Sequence, residues 1–446
     1  METLIEDVVL LVFSYLNQAD LFAVCLTCTR LRNIAETVLY SKISWRWDRS
    51  TSPPVIRFLN AILRRPALAK HVRTLTLTQK RTVTGTAGKI ELPPASTEEL
   101  DADLAAQVLS KTGVPFASKW LAEIGKRSMD SLLALVVSQT TNLTRLQLDE
   151  AWSMQSALLC KVVAAGIDGA YSLPTYSSLL SVGYGSWHSE TPYRCIGTHT
   201  TALLSFFYLP SIRTLLLMLD TPIKLSWLAQ TPSCTSLVSL HLSNVGEQHL
   251  AGILTATPKL AQLHYTWQYV AGYQHCKSLL DLRDLMGALA MVKTTLEDLA
   301  IVLLNHDDYY MRTMIDRVGS VQDLTSFGAL KRLRVPLIWI DDFGEYDEDY
   351  NFSRTIPKDL QELSLGDDLH LHEEWTIDEA KVIQGLEDML KSRQLLHPKL
   401  SSIHIEIEGD QGWLKENRER MQELGRVYGV SLMVRDSVRE IASVTD

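Results

Sequence analysis

Several short runs in this 446-residue chain carry residue types that metal binding or catalysis would use. Cys25 and Cys28 stand at C-x-x-C spacing, close enough for two thiolates to share a zinc ion, but a tetrahedral site needs two more ligands and no second Cys or His pair lies nearby. Both fall in a helical pattern and read as packing residues. Gly85-Thr86-Ala87-Gly88-Lys89-Ile90 has the flavour of a phosphate loop, yet its glycines are too close together and Ile90 stands where a magnesium-binding hydroxyl is required. Gly183-Tyr184-Gly185-Ser186-Trp187-His188 lacks the glycine two after the serine that a nucleophile elbow needs. His370-Leu371-His372 would put two imidazoles on one side of an extended segment, without a carboxylate or third imidazole to complete a metal set. No constellation supports an enzyme, and neither a catalytic residue nor a cofactor or metal is expected.

In bulk properties, 43 Lys and Arg against 52 Asp and Glu give a formal charge of −9, which offers no general attraction to phosphate backbones or anionic lipid. Nucleic acid and membrane are not expected partners. No apolar run approaches the roughly 18 to 20 residues needed to span a bilayer, and Glu2, Glu6 and Asp7 occupy positions where a signal peptide carries basic residues. The six cysteines are too sparse for a disulfide framework, consistent with a cytoplasmic or nuclear protein. One charge run stands out: Asp341 to Asp349 holds six acids in nine residues, interleaved with aromatics, and reads as a solvated loop with the capacity to hold a basic peptide.

The strongest local signal is at the N-terminus. Leu4, Val8, Leu11 and Val12 form one amphipathic stripe, and Leu31, Ile34, Ala35, Val38 and Leu39 form another. Asn17 and Asp20 mark the break, with Asp20 the expected N-cap of a helix starting at Leu21. Three short helices in about 40 residues are too small to bury all their apolar surface alone, so exposed leucines would need a partner. This stretch, through Cys28-Thr29-Arg30-Leu31-Arg32 and Leu39-Tyr40, resembles an F-box. The resemblance implies docking on the Skp-type adaptor of an SCF-type ubiquitin ligase, with Leu4, Ile5, Val8, Leu11, Leu16, Leu21, Cys28 and Leu31 as adaptor-binding positions. The sequence departs from the family pattern at Ile5, where proline usually follows the first leucine, and at Leu31, where many members carry an aromatic residue.

Further along, one pattern returns nine times: apolar, two of any kind, apolar, one of any kind, apolar. Its copies begin at Val72, Leu143, Ile212, Leu237, Leu260, Leu296, Leu330, Leu360 and Leu400, with weaker versions at Leu179 to Tyr184 and Val430 to Val434. Residues two apart on a strand point the same way, so the last two apolar positions of each copy face a core beneath a parallel sheet. Most neighbouring copies lie 23 to 40 residues apart, room for one strand and one helix. Helical spacing is visible at 128–138, 278–292 and 380–395, expected outside the sheet. The array resembles an irregular leucine-rich repeat solenoid, and residues 58–75 are similar to the junction of fungal-type F-box proteins with leucine-rich repeats. A 71-residue gap separates Val72 from Leu143. It reads as a surface excursion around 82–94 followed by two helical stretches.

The expected fold class is therefore α/β: a three-helix F-box (1–48), a helical linker or cap (49–71), a repeat solenoid with parallel inner sheet and outer helices (72–434, insert about 78–142), and a C-terminal tail (435–446). Residues alternating with the core leucines point outward, which makes Arg145, Gln147, Leu216, Met218, His241, His264 and Arg334 candidate contacts for a protein target. Leu216 and Met218 are the apolar pair among these in mid-array, read either as an exposed contact patch or as residues under a covering loop. The function implied is a non-catalytic substrate-recognition subunit of the ligase; the alternative is a leucine-rich repeat interaction scaffold unconnected with ubiquitination.

Overall fold

All three apolar positions of all nine copies are at most 2 % exposed, and the last two of each lie on a parallel strand. The computed structural model describes residues 2–48, 51–79, 94–96, 98–153, 156–185, 200–219, 225–269, 279–305, 316–340, 352–368, 379–407 and 413–436. The chain divides into two compact units, one built from residues 1–186, 198–217 and 227–232, the other from 187–197, 218–226 and 233–446.

In the first unit the helices α1 (Glu2–Ser14), α2 (Gln18–Cys25) and α3 (Thr29–Leu39) precede strand β1 (Lys42–Trp47). Helices α4 (Val55–Arg64) and α5 (Pro66–Ala69) lead into β2 (Thr74–Gln79), and α6 (Ala102–Thr112), α7 (Ala117–Gly125) and α8 (Met129–Gln139) into β3 (Arg145–Leu148). Strands β4 (Ser181–Tyr184) and β5 (Thr214–Met218) complete a parallel sheet in sequence order. Its core row runs through Leu75, Leu146, Val182 and Leu215, directly paired across the strands.

The second unit repeats the scheme with β6 (Ser239–Ser243), β7 (Gln262–Tyr269), β8 (Leu279–Asp281), β9 (Asp298–Asn305), β10 (Asp316–Val318), β11 (Arg332–Pro336), β12 (Glu362–Gly366), β13 (Ser402–Ile407) and β14 (Ser431–Asp436). Strands β8 and β10 form a separate parallel pair; the others align Leu240, Leu263, Leu299, Leu333, Leu363, Ile403 and Leu432 in one buried row. Helices at Glu247–Leu254, Leu282–Leu289, Glu379–Leu396 and Lys415–Tyr428 occupy the connections.

A backbone device recurs at the strand entrances. The carbonyl of Ser41 accepts from the N–H groups of both Arg73 and Thr74, that of Arg73 from Thr144 and Arg145, and those of Thr144 and Leu180 likewise one connection further on. In the second unit the carbonyls of Val238, Ala261, Glu297, Lys331 and Gln361 each accept two consecutive N–H groups from the next segment. The chain therefore turns into each of these strands with the same pairing and satisfies the same two backbone donors.

Three elements depart from the sequence reading. Helix α2 begins at Gln18, not Leu21, because Asn17 Oδ1 accepts from the Asp20 N–H at 2.9 Å and caps the helix three residues earlier. The parallel sheet starts at Lys42, inside the segment assigned to the helical module, since Ile43 and Trp47 alternate inward without the leucine triplet. Helix α8 is not amphipathic in its surroundings: Met129 through Ser138 are all buried, and it packs on α4, α7 and the helix Ala157–Asp168. Trp120 of α7, fully buried, donates its Nε1–H to the Ser131 carbonyl at 3.0 Å. The two helical stretches expected in the later part of the long gap are α6 and α7, and both contribute buried residues.

Within this layer Asp130 is 9 % exposed and accepts the Leu158 and Leu159 N–H groups, at 2.8 and 3.0 Å, in the first turn of the helix Ala157–Asp168. Burial outweighs those two bonds and pushes its pKa from 3.8 up to about 6. With the folded value above the unfolded one, the stabilising contribution of protonated Asp130 is complete below about pH 4 and is lost as pH rises through about 6. Urea unfolding should show wild type gaining on Asp130→Asn by about 1 kcal/mol between pH 7 and pH 5; a pH-independent difference would contradict this.

Candidate docking faces

Helix α1 carries six consecutive apolar residues, Val8 to Phe13, so apolar side chains occupy its whole circumference. One side is consumed internally: Phe13, Leu21, Cys25, Ile34 and Ala35 form a core against which Val9, Leu10, Leu16, Val24, Leu31, Val38 and Leu39 pack. The other side stays in solvent, with Val8 at 56 %, Leu11 at 59 %, Val12 at 54 % and Tyr15 at 83 % exposure. Phe22 and Leu26 of the second helical segment are exposed at 59 % and 66 %.

Of the adaptor-binding positions expected from the sequence, Val8, Leu11 and Cys28 are therefore on the surface. Leu16 and Leu31 are half-buried against the module's own core, and Leu21 is buried within it at 4 % exposure. Leu21 thus holds the helices together rather than presenting a contact. The side chains of Leu4 and Ile5 lie outside the described residues. Tyr15, Phe22 and Leu26 escaped the sequence reading, and Val12, although read into the stripe, was not named as a contact; the unbroken apolar run in α1 already required two apolar faces.

The module is joined firmly to α4, α5 and the first strand. Glu36 of α3, 7 % exposed, receives both Arg65 terminal nitrogens at 2.8 and 2.6 Å, a bidentate pair across 29 residues. Tyr40 and Trp45 flank the Phe58 ring of α4, with centroids 6.2 and 5.6 Å away. Two residues, Tyr40 and Ser41, separate α3 from β1.

The outward sheet face is the second candidate surface. In the first unit Arg145, Gln147 and Leu216 are half-buried there; Met218, which belongs to the second unit, is 5 % exposed and so is not an open apolar contact. The alternation placed Met218 outward, but packing covers it. In the second unit His241, His264, Ala300, Arg334, Ser364 and His404 occupy one register row. The imidazoles of His241 and His264 stack with centroids 5.2 Å apart and planes 6° from parallel. Burial lowers both pKa values, that of His264 to about 3, helped by His241 and Arg334.

Arg334 is held at both ends. Nη1 and Nη2 bind Asp368 at 3.1 and 2.6 Å, Nε donates to Glu406 at 2.8 Å, and Nη1 also reaches the Ile301 carbonyl at 2.8 Å. Asp368, with a side chain 1 % exposed, accepts the Leu303 N–H at 2.9 Å as well. Burial opposes the guanidinium charge, but the two carboxylates outweigh it and raise the pKa. Gly366 makes room for this network: a Cβ there would strike both Arg334 and Asp368.

Residues 6–46 match the family model described as F-box-like, so the N-terminal helical module is an F-box-like domain. No curated protein matches the chain. Among the described residues no cluster of His, Cys, Asp and Glu is arranged to hold a metal ion, and no helix is long and apolar enough to cross a membrane. The Gly85 to Ile90 turn, Ser186 to His188, the acidic run from Asp341 and the His370 and His372 pair lie outside the described residues.

Removing the arginine from this network strands a buried carboxylate. Arg334→Met should lower unfolding stability by about 3 kcal/mol, read as a shift in urea midpoint, and an unchanged midpoint would remove Arg334 from the framework of this face.

Proposed function

We propose that the chain is the substrate-recognition subunit of an SCF-type ubiquitin ligase, binding a Skp-type adaptor through its F-box-like domain and a protein target through the outward face of its sheet. F-box domains generally serve non-catalytic adaptors of this kind. The observation that carries the reading is the uncovered apolar side of α1 and α2: Val8, Leu11, Val12, Tyr15 and Phe22 are each more than half exposed on a domain whose core is already filled. Such a patch marks a contact surface. A module serving only as a cap on the sheet, the scaffold alternative, would have packed Val8 and Leu11 inward.

The body is read as an irregular leucine-rich repeat solenoid, each repeat supplying one strand and one paired-donor carbonyl turn. The nine buried triplets and the recurrence of that turn support this. In this reading residues 1–48 dock the adaptor, 49–71 link, 72–434 form the array and 435–446 the tail. Arg145, Gln147, Leu216, His241, His264 and Arg334 lie on or beside the target-binding face.

Val8→Asp with Leu11→Asp should leave folding intact, because both side chains are exposed, and weaken capture of a purified Skp-type adaptor by more than about 30-fold, the equivalent of roughly 2 kcal/mol. Undiminished capture by the double variant, or none by wild type, would overturn the assignment.

A further inference from the structure

The outward face of the first unit's sheet carries charge of one sign. Its charged residues are Lys42 and Arg46 of β1 and Arg145 of β3, and the unit's other outward positions on β1 to β5 are serines and threonines, Gln147, Gly183 and Leu216. Lys42 and Arg46 are exposed and Arg145 is half-buried. None of the three forms an ion pair or a side-chain hydrogen bond with another described residue. In the second unit the outward arginines Arg332 and Arg334 are instead neutralised in place, the first by Asp298 at 2.8 Å and the second by Asp368 and Glu406 at 2.6 and 2.8 Å. The acids that follow β1 and β3, Asp48 and Asp149, accept the backbone N–H groups of Thr51 and Gln79. The chain as a whole is acidic, with a formal charge of −9, so a face bearing only cations stands apart from the rest of its charge.

A fourth polar group on this face is seated but unsatisfied. Gln147 is half-buried, and its amide lies over Gly183 of the neighbouring strand, where a Cβ would strike all three amide atoms. The amide makes no hydrogen bond to another described residue. It offers a donor and an acceptor side by side, the complement of a peptide group. The three cations are spread around it. Lys42 and Arg145 are two strands apart, roughly 9.6 Å, and Lys42 and Arg46 are four residues apart on one strand, roughly 13 Å.

From this arrangement we infer that the first unit's outward face binds an extended acidic segment of the protein target, its carboxylates distributed over Lys42, Arg46 and Arg145 and its backbone bonded to the Gln147 amide. Charge complementarity selects the acidic partner. The spread of the cations fits several carboxylates along a chain better than one phosphoryl group, because Arg46 and Lys42 lie farther apart than a single such group bridges. A peptide also fits better than a nucleic acid: the face has no aromatic ring among the described residues on which a base would stack, and the seated amide matches a peptide backbone. This deepens the proposed function by naming the target chemistry, and it rests on the outward face being the target-binding one.

The test uses the full chain and fluorescence anisotropy of a labelled peptide of alternating Glu and Ser, against the same peptide with Gln in place of Glu, the Gln peptide carrying a single phosphoserine, and an oligothymidine of equal length. At low salt the Glu peptide should bind about tenfold or more tighter than each of the others. Lys42→Gln, Arg46→Gln and Arg145→Gln together should bring the Glu peptide down to the level of the Gln peptide without moving the urea midpoint. Gln147→Leu should weaken binding about threefold or more while leaving the preference for Glu over Gln intact. Equal binding of the Glu and Gln peptides, undiminished binding by the triple variant, or equal binding of the phosphoserine peptide or the oligothymidine overturns the assignment. Adaptor capture by the same preparation is read in parallel: capture without selective peptide binding removes the acidic-segment surface alone, and selective peptide binding without capture removes the ligase reading alone.

Discussion

Leucines placed two apart on a parallel strand cannot be covered by that strand or by its neighbour. They are covered from one side only, by helices and loops laid beneath the sheet, and each new strand extends the same row. That constraint explains why Leu75, Leu146, Val182 and Leu215 align in the first unit and why Leu240 through Leu432 align in the second. It also explains the backbone: turns that bring the chain back to the same row at the same height solve the same hydrogen-bond problem, hence one carbonyl accepting two successive N–H groups at each of these entrances. The opposite face of the sheet is released from packing duty and carries the polar and ionisable residues.

The F-box-like domain meets a different limit. Three helices enclose too little volume to hide an α1 that is apolar on every side, so Phe13 and its neighbours fill the interior while Val8, Leu11, Val12 and Tyr15 remain outside. The domain's link to the sheet is rigid at a few named points. Glu36 and Arg65 join α3 to the segment after α4, the Phe58 ring sits between Tyr40 and Trp45, and the first strand begins almost at once. An apolar face on a firmly attached domain is suited to holding one partner at a fixed position relative to the first unit's sheet.

Much of this was legible in the chain. The leucine triplets located the strands because periodicity two with a preceding apolar anchor is a strong local signal, and the F-box resemblance located the first three helices. What escaped depended on interactions beyond local pattern. Strand β1 carries Ile43 and Trp45 where β2 has Leu75 and Leu77, and is recognisable mainly by its pairing with β2. Helix α8 looked amphipathic, but neighbours on several sides bury its serines with its leucines. Arg334 was visible as an outward residue, whereas Asp368, 34 residues on, and Glu406, 72 residues on, became its partners only through register. Leu21 and Met218 show the converse: Leu21, an adaptor position by the F-box resemblance, and Met218, outward by alternation, are both internal packing.

The central claim is that the adaptor is bound by the uncovered side of α1 and α2 and by no part of the sheet. Amide hydrogen exchange of the full chain, measured with and without a purified Skp-type adaptor, tests it directly. The account predicts slowed exchange concentrated between residues 2 and 28, with the strands from β6 to β14 unchanged. Slowed exchange on those strands, or no change between residues 2 and 28 at saturating adaptor, would contradict it.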